Sequence, residues 1–157
     1  MKTAIQSPET SAAAELSDAV SALVRVYQFR DRDRICCHDV SVTQCYALES
    51  LLKVGPCTLN ELAAELYLDK STASRVVGTL ERKGYVTRRA HPDDARAMLH
   101  DVTTTGRRLH QKIRADLVAE QAAMIEDLDP DVRRGALTLL RRLTSSVAAR
   151  SGLPCCG

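Results

Sequence analysis

Six cysteines are the residues of this 157-residue chain with the most distinctive chemistry. Four of them form two pairs that are adjacent in sequence, one before residue 40 and one at the C-terminus. Adjacent cysteines seldom bond to each other, because the small ring strains both the disulfide and the peptide geometry. Their thiolates can instead share a soft ion such as zinc, copper(I), mercury or trivalent arsenic. The candidate ligands for a metal or metalloid are Cys36, Cys37, Cys45, Cys155 and Cys156, with His38 as an additional donor.

Thiol oxidation is an alternative role for the two cysteine pairs. An accessible thiolate oxidises to a sulfenic acid, which condenses with a second thiol to form a disulfide. His38 and a nearby arginine cluster could favour the thiolate of Cys36 or Cys37. Cys45, on an apolar helix face, and Cys57 are better explained as small core residues. Metal binding and oxidation both stay open for the pairs.

A second set of chemically capable residues lies in the basic segment 70–96, which is rich in hydroxyls and arginines. If Val76, Val77 and Leu80 face the core of a helix, helical geometry turns a polar, basic face outward. Serine and threonine can reach phosphates or base edges, and Arg75 is long enough for a bidentate contact with guanine. The candidate DNA-contacting residues of this helix are Ser71, Thr72, Ser74, Arg75, Thr79 and Arg82.

The composition fits one soluble globular domain, with 45% apolar and 27% charged residues. A net charge of +2 is too small to argue nucleic-acid binding by itself, so the uneven placement of the basic residues carries that argument. Aromatic residues make up only 3% of the chain, which disfavours recognition of single strands by base stacking. Double-stranded DNA is therefore the expected nucleic acid.

The sequence indicates neither a membrane protein nor an enzyme. No apolar run approaches the roughly 20 residues needed to cross a bilayer, and the N-terminus lacks the apolar core of a secretory signal. We therefore expect a cytoplasmic protein, in which thiols are normally kept reduced. A glycine-rich phosphate loop and a paired carboxylate set are both absent from the sequence. We expect no cofactor to be required for folding.

Helical periodicity and capping residues define the first half of the chain. A long amphipathic helix is predicted from about residue 12 to residue 34, with the charged run RDRDR as its solvated end. Ser41 and Thr58 each begin a capping box, in which a Gln or Glu follows three residues later. Asp69 can cap the next helix, and Gly84 suits the left-handed residue that ends it.

The second half predicts a β-hairpin followed by two helices. The β-prone runs 85–89 and 97–102 are joined by the turn-rich segment HPDDAR. Residues 103–105 begin a long helix, and Asp129 with Pro130 begins the last one. The apolar stripe of the last helix consists of Val132, Ala136, Leu139, Leu140, Leu143 and Val147.

The stretch from Leu59 to Leu109 resembles the core of the MarR family of winged-helix transcriptional regulators. The resemblance implies a mainly α fold with a small β-hairpin wing, a winged helix-turn-helix whose N- and C-terminal helices interlock in a homodimer. By the same resemblance, residues 69–83 form the recognition helix and residues 88–96 form the wing. The chain would then be a regulator that binds double-stranded DNA.

The predicted wing departs in part from the family pattern. The family usually reads Asp-Pro-x-Asp-Arg-Arg, whereas this chain reads His-Pro-Asp-Asp-Ala-Arg from His91 to Arg96. The resemblance implies that Arg96 enters the minor groove or ties the wing to Asp94. The missing basic residue at position 95 is partly offset by other arginines. The wing residues implied to contact DNA are Arg88, Arg89 and Arg96.

The implied domain organisation places one domain after a short N-terminal segment. Residues 1–11 are expected to be disordered, and residues 12–157 to form a single domain. Residues 41–103 would be the winged helix-turn-helix, flanked by dimerisation helices at 12–40 and 104–157. Two recognition helices must lie about 34 Å apart to read successive major grooves, which predicts a palindromic operator.

The sequence thus predicts a DNA-binding repressor, because blocking a promoter sterically needs no further contact surface. Release from DNA would follow binding of a soft metal or metalloid to the cysteine thiols. Thiol oxidation and an aromatic effector bound between the dimer helices and the winged helix are the alternatives. A winged helix that docks only on proteins is disfavoured, since the outward face lacks apolar residues. His91, His100 and His110 are expected to be solvated.

Overall fold

The computed structural model describes residues 8–36 and 38–150, except for the side chains at positions 8, 9, 33, 34 and 36. The chain divides into two units, residues 1–42 and 43–157, which we describe separately. None of the described helices is apolar over a length that would span a membrane. The elements in chain order are α1 (Pro8–Cys36), α2 (Val42–Val54), β1 (Cys57–Thr58), α3 (Leu59–Glu65), α4 (Lys70–Arg82), β2 (Val86–Ala90), β3 (Met98–Val102), α5 (Thr104–Met124) and α6 (Pro130–Arg150).

The first unit consists mainly of α1, which is longer than the sequence predicted. The helix begins at Pro8, where proline suits the first helical turn, so residues 8–11 are helical rather than disordered. The predicted solvated end at RDRDR is also wrong in part. The side chains of Arg30 and Asp31 are only 17% and 14% exposed and form an ion pair of 2.6 Å. The Arg30 guanidinium stacks 3.9 Å from the ring centroid of Tyr27, which shields it from solvent.

The second unit has a continuous apolar core to which four helices contribute. Its largest fully buried side chains include Leu48 and Leu51 on α2, Leu62 on α3, Leu80 on α4 and Ile113 on α5. These positions recur at helical spacing in the sequence, so each helix turns one apolar face inward. One face of α4 packs against this core, and its opposite face is exposed to solvent.

The sheet contains the predicted hairpin and one strand that the sequence analysis missed. Strands β2 and β3 pair antiparallel from Val86↔Val102 to Ala90↔Met98. The added strand β1 pairs with the other edge of β3, so that the order is β1-β3-β2. Because β1 is only two residues long and Thr58 also caps α3, it carries no strand periodicity.

The predicted helix boundaries inside the second unit are confirmed by their hydrogen bonds. At the start of α3, Thr58 accepts from the backbone N–H of Glu61 while the Glu61 carboxylate accepts from the backbone N–H of Thr58. Asp69 accepts from the Thr72 N–H at 2.9 Å, which caps α4. Gly55 and Gly84, with φ of +82° and +75°, lie just beyond α2 and α4.

Gly106 packs the start of α5 tightly against the sheet. A Cβ at this position would overlap the backbone carbonyl oxygen of Tyr85 and lie 3.0 Å from Cγ1 of Val102. The Gly106 N–H also donates to Oγ1 of Thr103, the N-cap of α5, at 3.1 Å. This close approach fixes where α5 leaves the winged helix, and only glycine fits it.

Helix α6 exposes the apolar stripe that the sequence predicted to be a dimer contact. Asp129 caps it by accepting from the Asp131 N–H at 2.7 Å. Ala148 is its only fully buried residue within the described chain. Large apolar side chains along it are between 43% and 58% exposed: Val132, Leu137, Leu139, Leu140 and Val147.

Candidate nucleic-acid interface

Helix α4 presents the polar face that the sequence predicted. Its inward residues Ala73, Val77 and Leu80 are buried, whereas Val76 is half-buried rather than inside the core. The helix is therefore anchored along one narrow side. The outward candidates are all solvent-accessible: Ser71, Ser74, Arg75 and Arg82 are exposed, and Thr72 and Thr79 are half-buried.

Weak hydrogen bonds within α4 hold its two arginines along the helix. The Arg75 Nη2 donates to Oγ of Ser71 at 3.3 Å, and its Nε donates to the Ser71 carbonyl at 3.4 Å. Two turns later, Arg82 Nη2 donates to Oγ1 of Thr79 at 2.9 Å. These exposed bonds contribute little to stability. A phosphate or a base edge could therefore replace them without large cost.

Thr72 is committed to the helix cap as well as lying on the outward face. Its hydroxyl donates to Oδ2 of Asp69 at 2.7 Å, while its N–H donates to Oδ1. The Thr72 hydroxyl lowers the pKa of the Asp69 carboxyl well below its usual range, with the Thr72 N–H adding to the effect. Asp69 therefore stays ionised at the positive N-terminal end of the helix dipole.

The wing carries its arginines on an exposed hairpin. Only Val86 of β2 is buried, and Arg88, Arg89 and Arg96 are exposed. In the turn, the Arg96 backbone N–H donates to Oδ1 of Asp94 at 2.9 Å. The tie between Arg96 and Asp94 is thus made by the backbone. The Arg96 guanidinium stays exposed to solvent at the tip of the wing.

A cleft of about 610 Å³ separates α4 from the wing. Ser74 and Gly78 line its helix side, and Arg88 and Arg96 line its wing side. Gly78 has almost no contact here, since a Cβ would meet only Nη1 of Arg82 at 3.9 Å. Core packing therefore does not explain this glycine.

The expectation that the histidines are solvated is wrong for two of them. His100 and His110 are only 8% and 9% exposed. His100 Nδ1 lies 3.1 Å from Oε1 of Glu81, which satisfies the buried ring. Burial lowers the pKa of His110, and Arg114 lowers it further while Glu49 raises it. The sequence could not reveal these positions, because histidine on a short strand or helix has no burial signature of its own.

The cysteine pairs fall largely outside the described residues. Cys37, Cys155 and Cys156 lie there, as does the side chain of Cys36. Cys45 and Cys57 are buried thiols, as expected for core residues. Burial, followed by Glu61 and Glu65, raises the pKa of the Cys57 thiol to about 11. Within residues 8–36 and 38–150, no group of three or more metal-binding side chains occurs.

Comparison with known proteins points in the same direction as the geometry. Residues 38–97 match the MarR family. An HTH-type transcriptional regulator of Mycobacterium tuberculosis is 31% identical over 134 residues, which cover 83% of this chain and 91% of that protein. A second relative, an uncharacterized HTH-type regulator of Mycobacterium leprae, is 30% identical over the same length.

Solved structures share the same arrangement of elements. A MarR family transcription regulator superposes with a TM-score of 0.81 at 25% identity, over 93% of this chain and 97% of that one. Staphylococcus aureus MarR in complex with salicylate and kanamycin gives a TM-score of 0.79 at 18% identity, over 88% and 94% of the two chains. This second likeness is one of fold alone.

Proposed function

The chain belongs to the MarR family of DNA-binding transcriptional regulators, and we propose that it binds a palindromic duplex operator as a homodimer and represses transcription. The main observation that supports the proposal is that α4 lies beside the wing. Both present exposed arginines, and both are fixed to one buried core. A DNA-contacting surface that is already rigid loses little conformational entropy on binding.

Within each subunit, α4 would enter the major groove. Arg75 would make a bidentate contact with a guanine edge, while Ser71 and Ser74 would reach phosphates or neighbouring bases. Arg96, at the tip of the wing, would contact the adjacent minor groove, and Arg88 and Arg89 would contact phosphates. The duplex is thereby read by α4 and held by the wing.

The exposed side of α6 supports the homodimer. Leu139, Leu140 and Val147 are 43%, 48% and 58% exposed in the single chain. Apolar surface of this kind usually marks an interface, since burial is worth roughly 25 cal/mol per Å². A two-fold dimer would present two α4 helices to a duplex with matching symmetry.

Duplex binding is tested by titrating the protein with palindromic and shuffled duplexes at two salt concentrations. We expect preference for the palindrome and a steep loss of affinity with salt, because bound phosphates release counterions. Arg75→Ala should lower affinity for the palindrome by roughly 5- to 150-fold, the range of about 1 to 3 kcal/mol for one base contact. Lys112→Ala, which removes the same charge from α5, is the matched control. Absence of duplex binding at low salt would contradict the proposal.

For the effector, we propose that a soft metal or metalloid bound by the cysteine pairs releases the protein from DNA. Adjacent thiolates suit such ions. The raised pKa of Cys57 supports assigning the response to the pairs, because a protonated buried thiol is a poor ligand. The ion would act by favouring one spacing of the two α4 helices, and a coupling of about 1 to 3 kcal/mol changes operator affinity roughly 5- to 150-fold.

Operator release by arsenite, zinc and peroxide separates the candidate effectors. Cys36→Ser with Cys37→Ser, or Cys155→Ser with Cys156→Ser, should abolish release by arsenite or zinc and leave DNA binding intact. Cys57→Ala is the matched control and should keep the response. Release by peroxide alone would favour thiol oxidation instead. Release of the serine variants by any of these agents would contradict a thiol-based response.

An aromatic effector is the second candidate. It is favoured by the likeness in fold to Staphylococcus aureus MarR, which was solved with salicylate and kanamycin. Salicylate should then release the wild type and both pairs of serine variants equally. Release that depends on the cysteines would argue against it.

A further inference from the structure

A hydrogen bond between His100 and Glu81 joins the two parts of the candidate nucleic-acid interface. His100 lies on β3, the middle strand of the sheet, with Cys57 and Arg88 as its neighbours in register. Its side chain is 10% exposed, and that of Glu81, in the last turn of α4, is 24% exposed. The 3.1 Å contact bridges elements that are 19 residues apart in sequence. This contact therefore connects α4 directly to the sheet that includes the wing.

Stability alone does not account for a histidine at this position. Val102, two residues along β3 and on the same face of the strand, is apolar and buried, so an apolar side chain could pack here. Replacing both partners of a hydrogen bond by apolar groups of similar shape can be nearly neutral or stabilising, because both polar groups must be desolvated to form the bond. The pair instead fixes the geometry between α4 and β3, since a hydrogen bond holds two atoms at one distance and angle.

The pair also lies at the base of the cleft between α4 and the wing. Glu81 and His100 line this cleft together with Lys70, Arg88 and Arg96. Asp94 on the wing lines the same cleft, so an acid on each side offsets the mutual repulsion of the three cations. Glu81 is the acid that also bonds from α4 to the sheet, through His100.

We propose that His100 and Glu81 are positioning residues that set the angle and separation of α4 relative to the wing. This inference rests on the proposed DNA binding. Neither side chain needs to touch DNA. Their bond lets α4 and Arg96 engage one duplex simultaneously without a rearrangement upon binding, which lowers the cost of association.

The first test compares two variants of Glu81 that remove the same charge. Glu81→Gln keeps an oxygen that can accept from the imidazole N–H, whereas Glu81→Ala keeps no acceptor. We expect Glu81→Ala to bind the operator roughly 10-fold more weakly than Glu81→Gln, the scale of one charged or partly buried hydrogen bond. Equal affinities of the two variants would overturn the proposal, because their charges are matched.

The second test asks whether the wing acts together with α4. The variant His100→Leu with Glu81→Leu is expected to melt near the wild-type temperature but to bind the operator more weakly. Adding Arg96→Ala should then cost little, whereas in the wild type it should cost its full effect on affinity. A purely structural role would leave the cost of Arg96→Ala unchanged in both backgrounds, and that result would overturn the inference.

The two tests also separate this inference from the proposed function. If wild-type protein binds no duplex at low salt, duplex binding fails and the positioning role fails with it. If the wild type binds and all Glu81 variants bind equally well, only the positioning role fails. Melting curves of every variant show whether a loss of affinity reflects unfolding.

Discussion

The winged helix-turn-helix (residues 41–103) and the C-terminal helix α6 use apolar residues in opposite ways. In the winged helix, residues such as Leu62, Val77 and Leu80 are at most 2% exposed. In α6, Leu139 and Leu140 are 43% and 48% exposed, although both regions have helices of amphipathic sequence. The first region completes its core within one chain. The second leaves its large apolar side chains half-exposed in the single chain.

Truncation of one leucine in each region should separate these two roles most clearly. Leu80→Ala leaves a cavity in a filled core and should lower the free energy of unfolding by about 2 to 5 kcal/mol. Leu139→Ala should instead weaken self-association, so its melting temperature should depend more strongly on protein concentration than that of the wild type. Thermal unfolding at several concentrations measures both effects.

The proposed difference between the two regions is wrong if the two leucines behave alike. A loss of stability in Leu139→Ala without any change in the association of the folded chains would mean that this residue supports the fold of one chain. Sedimentation velocity at low concentration provides the independent check, and unchanged association would contradict a dimer contact at α6.

Glycine-to-alanine substitutions test the same difference between the two regions, with a smaller expected effect on stability. At Gly106 a methyl group would meet the Tyr85 carbonyl, so Gly106→Ala should destabilise the protein by about 1 to 3 kcal/mol. At Gly135 on α6 nothing lies within 4 Å, so Gly135→Ala should stabilise by up to about 1 kcal/mol through helix propensity. Urea unfolding compares the two, and effects of the same sign would contradict this reading of the packing.

Gly78 lies in the winged helix-turn-helix but is not tightly packed. Its Cβ position is almost open, unlike that of Gly106. Gly78→Ala should therefore raise stability by up to about 1 kcal/mol. We expect operator affinity to fall nonetheless, because the new methyl group would stand on the cleft wall that faces DNA. Stability and affinity that rise together would show that the duplex does not approach this residue.

Local signals explain why much of the winged helix was predictable from the sequence. The caps at Thr58 and Asp69 and the left-handed Gly84 depend on residues within three positions of one another, and all are found as predicted. The hairpin is also local, since its strands are joined by a short turn. The outward face of α4 followed from helical periodicity once its inward residues were chosen.

Features that depend on distant residues could not be predicted in the same way. The bond between His100 and Glu81 joins residues on different elements, and strand β1 forms only because β3 offers a free edge. The cysteine site stays a prediction, because its main residues lie outside the described part of the chain.

Acid should lower the free energy of unfolding through His110 on α5, the helix that connects the winged helix to α6. The expected loss is smaller than the effect of any of these substitutions. Burial lowers the pKa of His110 in the folded state below its ordinary value of 6.5, so the unfolded state binds more protons as the pH falls through that range. The contribution of the neutral ring to stability is therefore fully present above about pH 6.5 and is lost progressively below it. His110→Phe should flatten the fall in stability between pH 7 and pH 5, whereas His91→Gln on the wing should keep it. Urea unfolding across this range is the measurement, and an unchanged slope in His110→Phe would show that another group governs the acid response.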